Sequence, residues 1–299
     1  MPSFASFRRS SPPYFPLGIT TLEAAKAYVV RLLYRSRPAP SKAAILAKLE
    51  KHAPDVAPLD GDRDEGMLAF VRSAPLYEKA QWIASPAPLD SETRDEAWSE
   101  ALEQTWNWLE ARQVVADCKF EIQIADVRAA RMPAARRLRM IQHIVAAILQ
   151  SAPCDAIFWT SSRSFVSPDD FLASVDSLEE HPWLAPGAIH IRQFRVVEYE
   201  DGADASFQDT LVDSVGLTPL GIPDVQCHFR GIDAQLVAPL LYRAACNLFE
   251  TGKVAAGDAV AGIRPGQFWR HRGEESLAPP RRTVVDIAPN GGHRSGARE

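Results

Sequence analysis

The chain has 299 residues, with 33 Lys and Arg against 38 Asp and Glu, for a formal net charge of −5. That length buries a hydrophobic core without a disulfide framework or a metal, and the acidic balance argues against nucleic-acid binding as the main activity. No stretch approaches the roughly 18 to 20 apolar residues of a bilayer span. The N-terminal MPSFASFRRSSPPYFPLG lacks the apolar run of a secretory leader, so a cytoplasmic protein is expected.

Residues 1–18 read as an irregular arm that packs through Phe15 and Leu17. Thr20 or Thr21 then caps a helix whose stripe is Leu22, Ala25, Val29 and Leu32 or Leu33, ending before Pro38. Ser41 opens a second helix with Ile45, Leu46 and Leu49 inward, and Pro54 to Gly66 forms a charged loop. MLAFVR and AQWIAS follow as short strands. The segment 91–112 reads as one amphipathic helix, with Thr93 and Glu96 as a capping box and Trp98, Leu102, Thr105 and Leu109 on its buried stripe. Trp106 and Trp108 stand about 200° apart on such a helix, so one of them covers a second layer or meets a partner.

KFEIQIADV alternates Phe120, Ile122 and Ile124 against Lys119, Glu121 and Gln123, the pattern of a half-exposed strand bordering a surface or edge. Pro133 starts a helix that buries Leu138, Ile141, Ile144 or Val145, Ile148 and Leu149, and CDAIFWTSS is the next strand. Beyond a helical turn at 169–175, AIHIRQFRVVEYE is a long strand closed by the acidic turn EYEDGADA. A helix within 232–251 buries Leu236, Leu240 or Leu241, Ala244, Ala245, Leu248 and Phe249. Gly252 caps it, and Pro239 marks a kink or a start. RRTVVDI supplies the last strand and the tail from Pro289 has nothing apolar to pack. The fold class is α+β, with mixed sheets and packed helices in two lobes, 19–178 and 179–288, and a disordered tail over 289–299.

No catalytic or cofactor-binding pattern emerges, and none is assigned. TGK at 251–253 lacks the first glycine and the hydroxyl residue of a phosphate loop, since Asn247 and Val254 stand in those places. VDSVG around Ser214 misses the first glycine of a nucleophile elbow. Cys227 and His228 adjoin on a strand and point to opposite faces, which reads as a buried cysteine beside a half-exposed histidine. The seven histidines and four cysteines show no metal-ligand spacing, and the cysteines read as free thiols. Arg128, Arg131, Arg136, Arg137 and Arg139 form the strongest candidate for an anionic contact, unless they pair with the acidic 92–110 segment or simply solvate an outer face.

The run Thr218, Leu220, Gly221, Pro223, Asp224, Val225, Gln226, then Phe229, an alanine-rich helix, Gly257, Asp258 and Gly262 resembles the bacterial family called domain of unknown function 4261, over about 206–285. CDAIFWTSSRSFVSPDDF is similar to the segment that precedes this domain in longer members. The family has no established activity, so the resemblance implies an architecture and transfers no functional residue. Some members sit near toxin–immunity or secretion genes, which implies a binding role. The expected function is therefore a non-catalytic protein-binding factor, of immunity or secretion-associated type, with a protein partner and no cofactor. Its contact residues would be Trp106, Trp108 and the five arginines. The competing expectations are an unfamiliar enzyme using Cys227 or His228 with Asp224, and a small-ligand sensor.

Overall fold

The structure, a computed structural model, describes residues 5–7, 27–51, 56–58, 68–72, 80–89, 96–127, 129–198, 207–255 and 259–290. It is α+β, and the chain divides into two compact units: Glu23–Ala188, and Ile189–Glu299 together with Met1–Leu22. The first strand, β1 (Ala5–Phe7), belongs to the second of these.

The Glu23–Ala188 unit is built on a seven-stranded sheet. Its strands are β2 (Val29–Tyr34), β3 (Val56–Pro58), β4 (Leu68–Arg72), β5 (Gln81–Pro88), β6 (Phe120–Val127), β7 (Ala156–Trp159) and β8 (Ser164–Val166). They lie in the order β3-β4-β5-β6-β2-β7-β8 and every pairing is antiparallel. The helices are α1 (Lys42–Glu50), α2 (Glu96–Glu103), α3 (Ala111–Asp117), α4 (Ala134–Ser151) and α5 (Pro168–Ala173).

Several expectations hold. Ser41 caps α1, accepting from the Ala44 amide at 3.3 Å, and Ile45 and Leu49 are buried. In α4 the stripe Leu138, Ile141, Ile144, Val145, Ile148 and Leu149 is wholly buried, with Pro133 at the N-cap one residue ahead of its expected place. This helix packs on β6, α1 and α5.

Four elements differ. Val29–Tyr34 is a strand, not the end of a helix, because VVRLLY hydrogen-bonds on both sides, to β6 and β7, and its β-branched pair suits a pleated surface; residues 20–26 lie outside the described residues. The half-exposed strand expected at 119–127 is β6, fourth of seven in its sheet, and Glu121 is buried beside Arg31 (3.5 Å). The single helix over 91–112 is two. Helix α2 stops at Glu103, where Thr105 Oγ1 donates to the Ala101 carbonyl (2.7 Å) and Trp106 Nε1 to the Glu103 carbonyl (3.0 Å), and α3 begins only at Ala111. Thr93 lies outside the described residues. Within the expected 54–66 loop, Val56–Pro58 pairs with β4 as a strand.

The second unit holds a mixed seven-stranded sheet of β1, β9 (His190–Glu198), β10 (Phe207–Val215), β11 (Asp224–Phe229), β12 (Ala259–Ala261), β13 (Phe268–Glu275) and β14 (Thr283–Ala288), in the order β1-β9-β10-β11-β14-β13-β12. Pairs β1·β9 and β11·β14 are parallel, the others antiparallel. The expected irregular arm thus contributes a strand at Ala5–Phe7, extending the sheet past β9; Phe15 and Leu17 lie outside the described residues. Helix α6 (Ala234–Thr251) packs against β9, β10 and β11. It runs through Pro239 without starting there, and it ends on Gly252, whose φ of 72° is the left-handed conformation glycine adopts without a Cβ penalty. Leu236, expected inward, is exposed. At the tail, Asn290 Nδ2 donates to the Phe268 carbonyl, and 291–299 lie outside the described residues.

Candidate functional site

The arginines around the start of α4 do not share one environment. Arg137 is buried and donates to Asp126 on β6, Nη2 to Oδ1 at 2.8 Å, with Nε on the other oxygen. Asp126 Oδ1 also accepts the Tyr28 amide (2.8 Å), so this pair fixes the end of β6 to the first turn of α4. Arg139 Nη1 contacts both the carboxylate and the carbonyl of Glu179 at 3.0 Å, and His143 Nε2 lies 2.9 Å from the other carboxylate oxygen. Burial works against the Glu179 carboxylate, but His143 and Arg139 overcome it and hold its pKa below the ordinary value. Arg131 is exposed, Arg136 half-buried, and Arg128 lies outside the described residues. Arg137 and Arg139 thus pair with Asp126 and Glu179.

The α2–α3 connection is the second place that sequence patterning singled out. Trp108 packs against a cluster of Leu33, Trp98, Ala101, Val115, Cys118, Ala156, Phe158 and Phe165. Trp106 is half-buried and tied to α2 by its indole N–H. Between these anchors and α3, Leu109 is 90% exposed, the most exposed of the large hydrophobic residues described. The helical-stripe reading placed Leu109 inward; its exposure follows from the helix ending six residues earlier, which periodicity does not reveal.

In the second unit, the register brings Arg192, Asp213, Gln226, Asp286 and Arg272 into one row across β9, β10, β11, β14 and β13. Opposed residues of a sheet share a face, so this is a polar stripe through the unit, and its first four members are fully buried. Arg192 donates to both oxygens of Asp213 (3.0 and 2.6 Å), and Gln226 Nε2 donates to Glu274 (2.5 Å) and Asp286 (3.3 Å). Above the row, Arg282 donates to Asp213 (2.6 Å), to Asp224 (3.0 Å) and to the Ser214 carbonyl (2.9 Å). Asp224 also accepts from Thr218 Oγ1 (2.7 Å) and the Leu217 amide (3.1 Å).

Burial opposes ionisation of Asp213, yet the two guanidiniums prevail and its pKa lies below the ordinary value. For Asp224 burial outweighs Arg282 and the hydrogen bonds, and the pKa is raised. Asp213, clamped by two arginines, is not available as a general base. The array acts as a buried ionic scaffold.

Cys227 and His228 do point to opposite faces, as strand parity requires, but both are buried; the half-exposed histidine expected from sequence has its Nε2 3.4 Å from Asp209, itself bonded to Arg230. Asp224 shares the His228 face but stands four residues along β11, about 13 Å away. The three residues therefore do not converge on one atom. All four cysteines are free thiols. Burial pushes Cys154 up, and the Cys246 thiol is raised to about 11, so neither supplies a thiolate near neutral pH. Among the described residues no group of three His, Cys, Asp or Glu side chains is placed to hold a metal, and no helix is long and apolar enough to cross a membrane.

These observations define an α+β chain with two sheet-centred units and a buried ionic scaffold in the second. Residues 213–288 match the family described as Domain of unknown function (DUF4261). The match runs from the middle of the Asp213 row to the end of β14, taking in Asp224, Gln226, Arg282 and Asp286. Neither the curated proteins nor the solved structures include a match to the chain.

Proposed function

We propose that this chain is a non-catalytic, cytoplasmic protein-binding factor of bacterial immunity or secretion-associated type, and that the α2–α3 connection carries the contact. The observation behind this reading is the pairing of anchored and exposed apolar groups there: Trp106 and Trp108 hold the turn while Leu109 stands in solvent. Burying a leucine side chain yields about 1.5–3 kcal/mol. Half-buried aromatics beside it match the composition of interface anchors. Arg131 and Arg136, the exposed and half-buried members of the arginine cluster, are the second contact in this reading. A cytoplasmic setting agrees with four cysteines that form no disulfide.

The test is affinity capture from native lysate with the tagged chain beside Leu109→Ser and Trp106→Ala variants of unchanged melting temperature. A near-stoichiometric protein retained by the wild type and lost from both variants is the expected result. Retention of nothing specific, or of the same protein by all three, overturns the reading.

A further inference from the structure

The hairpin loop joining β13 to β14, Ser276–Arg282, does not project from the end of its hairpin. It lies back across the polar face of its own sheet. Arg282 reaches Asp213 on β10, two strands beyond β14, and Ala278 and Leu277 pack with Phe194, Val196 and Leu211 on β9 and β10. Its own backbone bonds are few: Ser276 N to Arg282 O (2.9 Å), Leu277 N to Gln226 Oε1 (3.0 Å) and Arg282 N to Ser276 Oγ (3.2 Å). Arg282 also holds the loop to itself through the Ala278 and Pro280 carbonyls (3.1 and 2.8 Å).

We propose that Ser276–Arg282 is a strap, latched by Arg282, that opens as a unit while the sheet beneath stays folded and uncovers the apolar patch of Phe194, Val196 and Leu211. Two arguments carry this. The latch is a buried ionic contact, and such contacts contribute little net free energy because the desolvation of both partners offsets their attraction. The raised pKa of Asp224 agrees, since burial there outweighs the Arg282 charge. Furthermore, release of Arg282 leaves neither carboxylate without donors: Asp213 keeps both bonds from Arg192, and Asp224, though it loses its cation, keeps Thr218 and the Leu217 amide. The strands lose none of their ladder. Opening therefore costs the strap's packing, the Leu277 amide bond to Gln226 and the Arg282 bonds to Asp213, Asp224 and the Ser214 carbonyl, whereas opening the sheet costs its ladder as well, the condition for sub-global unfolding.

Hydrogen exchange read by mass spectrometry on the full chain tests this. In the wild type, the amides of Leu277, Ala278, Arg281 and Arg282 should exchange at least roughly tenfold faster than those of β10, β11 and β14. Arg282→Met should accelerate the strap amides further and leave the three strands unchanged. Leu277→Ala, which keeps every ionic contact, should accelerate the strap alone and serves where Arg282→Met fails to fold. Strap amides as slow as the strand amides in the wild type, or variants that accelerate strap and strands together, would overturn the proposal.

Discussion

Arg137 and Asp126 form a buried two-point ion pair, eleven residues apart in sequence, that joins the first turn of α4 to the last residues of β6. Removing one member of such a pair strands the other's charge in the interior, at about 3–5 kcal/mol. Arg137→Ala should therefore lower stability by about that amount, read by chemical denaturation, while Arg131→Ala, at an exposed position, should stay within about 0.5 kcal/mol. Equal effects would mean that Arg137 is not paired as described. A charge-reversal test of binding at the exposed Arg131 is not confounded by loss of this pair.

Gly187 offers a second test of packing. Its φ is +90°, and a Cβ built there would lie 2.1 Å from Cδ1 of the fully buried Trp159. Gly187→Ala should destabilise by roughly 3 kcal/mol, from backbone strain and the displacement of a packed indole together. Thermal melting, with tryptophan fluorescence reporting Trp159, measures both parts. A loss below about 1 kcal/mol would show that the ring moves freely aside.

The two buried aspartates should give opposite pH dependences. The folded pKa of Asp224 is raised, so its contribution to stability is fully present below the unfolded value and is lost as pH rises through the folded one. Asp213 is depressed, so its contribution is present above the ordinary value of 3.8 and is lost only as pH falls through a folded value lower still. Between about pH 4 and about pH 7, the wild type should lose ground relative to Asp224→Asn as pH rises. Its advantage over Asp213→Asn should hold through that window and close only in stronger acid. Denaturation series across the range decide it; a flat difference for Asp224→Asn contradicts the assignment of burial as the dominant cause.

What the sequence made legible follows the range of the forces involved. Helices α1, α4 and α6 were readable because cap, stripe and breaker all lie within a few residues of one another. Strand β10 was missed, since Asp209 and Asp213 sit inward where a strand pattern calls for apolar groups. Their partners, Arg230, Arg192 and Arg282, lie 21 to 69 residues away in sequence. Residues 29–34 fit helical spacing as well as strand spacing, and only pairing on both sides, with β6 and β7, decides between them. The candidate contact was legible in its tryptophans but not in Leu109, whose exposure depends on where α2 stops.

Trp108 and Leu109, adjacent in sequence, separate stability from recognition. Trp108 packs on the cluster that includes Trp98, Phe158 and Phe165, so Trp108→Ala should cost about 1–3 kcal/mol in denaturation, part of what a fully buried tryptophan would cost. Leu109 contacts mainly solvent, and Leu109→Ser should leave the unfolding midpoint within about 0.5 kcal/mol of the wild type, or raise it slightly as an exposed apolar group is removed. With a captured partner in hand, the order inverts: truncating a leucine that becomes buried at an interface should weaken binding by about 2 kcal/mol, some thirtyfold in Kd. Loss of binding by Trp108→Ala alone, with Leu109→Ser binding at full strength, would assign the effect to loss of the turn's shape and remove Leu109 from the contact.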